Sequence, residues 1–145
     1  MPVFVDTNVL IYALDRAHPN KQAAASAWRR ELWKSRSGRI SYQVLQEFYA
    51  NVQKKWPSES EMAKAEVRDL LAWRPVAVNA ELLERGWRIQ DRYALCFWDA
   101  MIVAAAKASS CRYLLTEDLP SGQNLDGVTV VNPFNSSPDF FLASE

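Results

Sequence analysis

The sequence predicts an α/β protein with a central parallel sheet of about four or five short strands flanked by helices. Three observations carry that expectation. Brief β-prone runs at Val3–Val5, Tyr113 to Thr116 and Val128 to Val131 are almost wholly apolar, as strands covered on both faces are. Between them, longer stretches repeat their apolar residues at helical spacing. A composition that is 49% hydrophobic and 23% charged, with 6 Trp, 6 Phe and 5 Tyr, is enough to fill a core. At 145 residues the chain is expected to form one domain over 1–145, with a short, loosely ordered extension from the 130s, after Phe134.

In chain order, Val3-Phe4-Val5 reads as the first strand. Asp6-Thr7-Asn8 then introduces an apolar helix, Val9 to Leu14, with Thr7 or Asn8 as its cap. Pro19 and Asn20 open a second helix carrying Trp28 and Trp33, which Ser37-Gly38 stops. Arg39-Ile40-Ser41 is expected as a brief strand. From Tyr42 to about Gln53, Val44, Leu45, Phe48, Tyr49 and Val52 define the buried stripe of a third helix, until Pro57 intervenes. Ser58 and Glu61 resemble a capping box for a helix to about Trp73, and Val76 to Val78 resembles a short strand. Asn79 caps a helix expected to turn Leu82, Leu83, Trp87 and Ile89 inward. An alanine-rich helix runs from Phe97 to about Ala108, and the last two strands follow at Tyr113 and Val128.

Charge excludes little by itself. The 17 basic residues balance 17 acidic ones, so any nucleic-acid site must come from local charge. Arg29, Arg30, Lys34, Arg36 and Arg39 form one basic run, and Lys54-Lys55 forms a smaller pair. A solvated helix face accounts for either equally well, with Arg36 and Arg39 as the RNA-contact candidates. Cys96 and Cys111 lack zinc-site spacing and are expected to be buried and reduced. The start lacks a basic region followed by a long apolar stretch, and no apolar run reaches membrane-spanning length. A soluble, cytoplasmic protein is the expectation.

Four carboxylates interrupt apolar or β-prone surroundings: Asp6 after the first strand, Glu47 in the third helix, Asp99 opening the alanine-rich helix, and Asp118 after the Tyr113 strand. In a parallel α/β sheet, sites form beyond the carboxyl ends of the strands, where Asp6 and Asp118 would meet. Burying such charges unpaired is costly, and each close pair adds roughly 1 to 4 kcal/mol of repulsion. A cation must compensate, or some acids must be protonated. Oxygen donors suit Mg²⁺ or Mn²⁺, whereas a lone His18 and two scattered cysteines do not make a zinc cage. Such an ion would permit phosphodiester hydrolysis. Each acid also has a plainer reading: Asp6 and Asp118 as turn formers, Glu47 as a solvated helix charge, and Asp99 as an acid favouring a helix N-terminus.

Val5-Asp6-Thr7-Asn8-Val9-Leu10, the helical Glu47, Trp98-Asp99-Ala100 and Leu115-Thr116-Glu117-Asp118-Leu119 together resemble the PIN-domain family, particularly VapC-type toxins, across Pro2 to about Phe134. That resemblance implies a PIN-like single domain in which Asp6, Asp99 and Asp118 hold Mg²⁺ or Mn²⁺. Glu47 would bridge through water or orient the nucleophile. Thr7, Asn8 and Thr116 would fix carboxylate orientation, and Glu117 rivals Asp118 as the fourth acid. It further implies a toxin endoribonuclease with an RNA substrate, a homodimer, and a cognate antitoxin that covers the acidic pocket, where an arginine can pair bidentately with the carboxylates. The alternatives are a PIN-like module that binds RNA or a partner without cutting, and a haloacid-dehalogenase-like phosphatase, whose usual second aspartate is here Asn8. A receiver domain does not fit the acidic order. Dinucleotide binding lacks its glycine loop, and His18 is poorly placed to activate a serine or cysteine.

Overall fold

In the computed structural model, residues 1–139 are described. Five strands, β1 (Val3–Val5), β2 (Gly38–Arg39), β3 (Tyr113–Leu115), β4 (Asn124–Leu125) and β5 (Val128–Val131), form one sheet in the order β2-β1-β3-β5-β4. β1 pairs in parallel with β2 and β3, and β3 with β5, so the predicted parallel core is present. β4 alone runs antiparallel, against β5. Phe4, Leu114, Leu115 and Val130 lie fully or almost fully inside, which explains why these strands are apolar rather than alternating.

Among the described residues six helices cover the sheet: α1 (Thr7–Tyr12), α2 (Pro19–Lys34), α3 (Tyr42–Lys55), α4 (Ser60–Leu70), α5 (Ala80–Tyr93) and α6 (Phe97–Ala108), with 3₁₀ turns at Pro57–Glu59 and Leu71–Trp73. Val44, Leu45, Phe48 and Val52 are the buried stripe of α3, as their spacing predicts. α6 is apolar nearly all round, and Ala100 through Ala106 are buried. Among the described residues no helix is long and apolar enough to cross a membrane.

Several expectations shift. Asp6, rather than Thr7 or Asn8, caps α1, because its carboxylate accepts the Thr7 amide at 2.7 Å. β2 lies at Gly38–Arg39, one residue earlier than expected, and Val76 to Val78 is reduced to a single bridge with Ser41. The Ser58–Glu61 capping box is absent: Pro57 starts a 3₁₀ turn, and α4 begins at Ser60 without a side-chain cap. Trp87 is exposed, because the inward stripe of α5 is Leu82, Gly86 and Ile89, and Gly86 takes the seat facing Met101 of α6. Cys111 is buried as expected, but Cys96, just ahead of α6, is exposed; both are free.

The segment after Phe134 is docked where it is described. The indole of buried Trp28 donates to the Pro133 carbonyl at 3.1 Å and to the Ser136 carbonyl at 3.0 Å, and Pro138 is buried. The remainder of the expected loose extension, 140–145, lies outside the described residues.

Gly38 marks a close approach. A Cβ there would strike the indole ring of Trp73, which is itself buried and cannot swing into solvent. Gly38→Ala is therefore expected to destabilise the fold by about 1–3 kcal/mol, the usual cost of overpacking. Urea unfolding measures it, and an unchanged midpoint would mean that Trp73 yields freely.

Candidate active site

β1 delivers Asp6 to the carboxyl edge of the sheet, and β3 delivers Thr116, Glu117 and Asp118 to the same edge. The Asp6 amide donates to the Leu115 carbonyl at 3.0 Å, which holds the two strand ends in register. Ser41 caps α3 just beyond β2, so Glu47 enters from the side of that edge. Asp99 sits in the first turn of α6. All four predicted acids line one cleft of about 320 Å³, together with Thr7, Asn8, Gln43, Asn51, Lys55 and Trp98.

Neutral donors fix the carboxylates. Asp6 accepts from the Thr7 amide and from the Thr116 hydroxyl at 2.9 Å. The Asn8 side-chain amide reaches Asp118 and the Thr116 hydroxyl, both at 3.0 Å, with a longer approach of 3.4 Å to Asp6. Glu47 accepts from the Thr7 hydroxyl at 3.2 Å and from Gln43 at 3.4 Å. Thr7, Asn8 and Thr116 thus each bond to at least one acid. Glu117, one residue from Asp118, borders the cleft but is tied to the Lys21 ammonium at 2.8 Å.

The electrostatics are unfavourable as they stand. Burial pushes the Asp6 carboxyl up to about 7, and the charges of Asp118 and Glu47 push the same way against the bonds from Thr7 and Thr116. Glu47 is raised by burial and then by Asp99 and Asp118. Asp118 is raised by burial and then by Asp99 and Glu117. Among the described residues, no three His, Cys, Asp or Glu side chains are gathered into a ready-made metal cage. The donor chemistry nevertheless fits a hard divalent cation, since every acid is an oxygen donor and their mutual repulsion is what such an ion relieves.

The basic candidates fare differently. Arg36 and Arg39 stand before and within β2 and do not line the cleft; the Arg39 guanidinium donates instead to the Arg36 and Gly38 carbonyls. Arg29 is committed to Glu66 at 2.8 Å and lies over the Trp33 and Trp73 rings. The cation that does reach the cleft is Lys55, at the end of a polar stripe on α3, Gln43, Glu47, Asn51 and Lys55. That repeat of four, running beside the buried stripe of α3, was visible in the sequence. Trp98 was visible only as a neighbour of Asp99, because periodicity does not say which way the first turn of a helix faces.

Residues 3–119 match the sequence family described as PIN domain, about four fifths of the chain. The chain belongs to the PIN domain family. No curated protein matches it in sequence. Among solved structures, a toxin-antitoxin complex from Klebsiella pneumoniae superposes with a TM-score of 0.65 at 21% identity, covering 92% of this chain and 98% of that one. VapC20 of Mycobacterium tuberculosis, a sarcin-ricin loop cleaving toxin, gives 0.57 at 22% identity over 77% of this chain and 86% of its own. VapBC2 from Rickettsia felis, bound to a fragment of promoter DNA, gives 0.61 at 16% identity over 91% and 98%. At these identities the likeness concerns the fold: a PIN-type sheet with the acids of this chain at its carboxyl edge.

Proposed function

We propose that this PIN domain is a metal-dependent endoribonuclease, the toxin of a toxin-antitoxin pair. In this reading Asp6, Asp99 and Asp118 hold Mg²⁺ or Mn²⁺, and Glu47 orients the attacking water. The observation that carries the reading is the cleft itself. Four carboxylates arrive there from four different elements, and three of them are raised in pKa by burial and then by neighbouring carboxylates. Ionised together, such a set is stable only around a cation.

The ion would supply neutralisation of the scissile phosphate and a more acidic water. The protein's own groups do the rest. Thr116 and the Thr7 amide lock the two oxygens of Asp6, and the Asn8 amide keeps Asp118 turned toward it. Thr7 and Gln43 hold one oxygen of Glu47, leaving the other for a water, and its raised pKa makes it a better proton acceptor than an exposed carboxylate. Asp118 is assigned over Glu117 because Glu117 is already neutralised by Lys21.

The similar structures, two toxin-antitoxin assemblies and a sarcin-ricin loop cleaving toxin, support RNA as substrate and an antitoxin as partner. An antitoxin arginine would pair with the carboxylates where the ion otherwise sits. A homodimer working in the cytoplasm completes the reading. Purified protein is expected to cut RNA with Mg²⁺ or Mn²⁺ and to stop in chelator, and Asp99→Asn at equal folded concentration is expected to be inactive. Cleavage that survives chelation sinks the metal mechanism, and equal rates for wild type and Asp99→Asn point to a contaminant.

A further inference from the structure

Trp98 is 63% exposed, the most exposed large hydrophobic side chain among the described residues. A tryptophan left this bare has lost the burial that its size ordinarily gains. It is held firmly nonetheless. The Phe97 ring packs edge-on against it, with centroids 5.0 Å apart and planes at 73°, and Gln43 donates to its carbonyl at 3.4 Å. Phe97 and Trp98 open the first turn of α6, two residues and one residue before Asp99, so the indole stands at the lip of the acidic cleft. Among the described residues lining that cleft, Lys55 is the one cation, and its exposed ammonium lies 5.5 Å over the Trp56 ring.

We propose that Trp98 is the stacking platform for an unpaired base beside the phosphate that is cut, with Lys55 taking a neighbouring phosphate of the same strand. The proposal rests on the ribonuclease reading and names what that site recognises. A carboxylate cleft repels a polyanion, and a bound divalent ion would offset this only at the scissile phosphate, so the flanking nucleotides need a fixed cation and a flat apolar surface matched to a nucleobase. Base-aromatic stacking supplies about 5- to 150-fold in affinity per base by alanine substitution. It requires a base free of a duplex, since paired bases expose only their edges. A second copy of the chain is the poorer occupant, because an isologous contact centred on Trp98 would set two anionic clefts face to face. Trp98 thereby selects for a base, and Lys55 for a backbone charge.

The test uses the full chain carrying Asp6→Asn, with Mg²⁺ present, so that RNA is bound without being cut. Fluorescence anisotropy compares a short oligoadenylate with an abasic ribose-phosphate oligomer of the same length and charge. The parent is expected to prefer the oligoadenylate by about 5- to 150-fold. Trp98→Ala is expected to lose that preference and Trp98→Phe to keep most of it. Lys55→Ala is expected to weaken both ligands alike and to flatten the salt dependence. The proposal is overturned by no measurable preference in the parent, by a preference that survives Trp98→Ala, or by equal weakening of both ligands in that variant. A change from dimer to monomer on Trp98→Ala, with the base preference intact, overturns it in favour of a subunit contact. Cleavage by the unsubstituted protein is scored separately. Base preference without cleavage removes the ribonuclease reading and leaves a binding platform, whereas cleavage without base preference removes only the platform.

Discussion

Asp6→Asn is expected to abolish RNA cleavage while making the metal-free protein more stable at pH 8. The two effects have one cause. Asp6 sits 7% exposed at the end of β1, and its carboxyl is pushed up to about 7 from an ordinary value of 3.8, first by burial and then by Asp118 and Glu47. A carboxyl raised in the folded state binds a proton there that the unfolded chain has already released. Stability is therefore complete below about pH 4, falls as pH rises toward 7, and is flat above. With nothing to compensate, the decline is on the order of 4 kcal/mol. Asparagine never ionises, so the decline attached to this position disappears. The exchange also has a cost, because the Asp6 oxygen bonded to the Thr116 hydroxyl becomes an amide nitrogen, 3.4 Å or so from the amide of Asn8. That cost does not depend on pH. In chelator, wild type is thus expected to melt lower at pH 8 than at pH 5, and Asp6→Asn to show a much smaller difference between them. Removing a metal ligand should cost cleavage at least as much as removing one of its hydrogen-bond partners, so a fall of about 100-fold or more in kcat/KM is expected. Parallel melting curves for the two proteins at both pH values would show that Asp6 carries no such burden.

This trade was partly legible before any coordinates. Asp6 and Asp118 could be placed at the carboxyl edge because each follows a strand-like run, and parallel strands send their ends to the same edge. Asp99 announced itself as a charge at the head of an apolar helix. What separates Glu117 from Asp118 was not legible, since Lys21, the ion-pair partner of Glu117, is 96 residues away and meets it only in the folded chain. The basic candidates divide for a similar reason: of the Lys54-Lys55 pair Lys55 lines the cleft, whereas Arg36 and Arg39 do not. Arg36 precedes β2, the Arg39 guanidinium turns back to the Arg36 and Gly38 carbonyls, and Lys55 is one member of a polar stripe that periodicity alone does not rank. β4 was missed although Asp126-Gly127 is a hairpin signal, with both residues at positive φ, because a two-residue strand is too short to show a pattern. Trp87 was expected inward on hydrophobicity, but a helix face is set by angle, and Gly86 occupies the angle that α6 approaches.

A divalent cation is expected to raise the melting temperature of the wild type more at pH 8 than at pH 5. Glu47 and Asp118 are raised in pKa along with Asp6, so at pH 5 the cleft retains protons where the ion must bind, and each proton displaced weakens binding. At pH 8 the carboxylates are ionised and repel one another, and the ion relieves that repulsion while binding only the folded chain. The stabilisation then follows the ratio of free ion to dissociation constant, reaching about 2.7 kcal/mol at a hundredfold excess. For a chain of this size, that corresponds to roughly 5–11 °C. Thermal melts at the two pH values, with Mg²⁺ or Mn²⁺ titrated against chelator, measure the effect. Asp99→Asn separates it from unspecific screening, because Asp99 lies in the cleft and raises both Glu47 and Asp118. If the ion sits among these acids, the variant loses most of the pH 8 shift while its melting point in chelator holds or rises, since a repelling charge has gone. An equal shift in both proteins, or one independent of pH, places the cation on some other surface and removes the basis for assigning it to Asp6, Asp99 and Asp118.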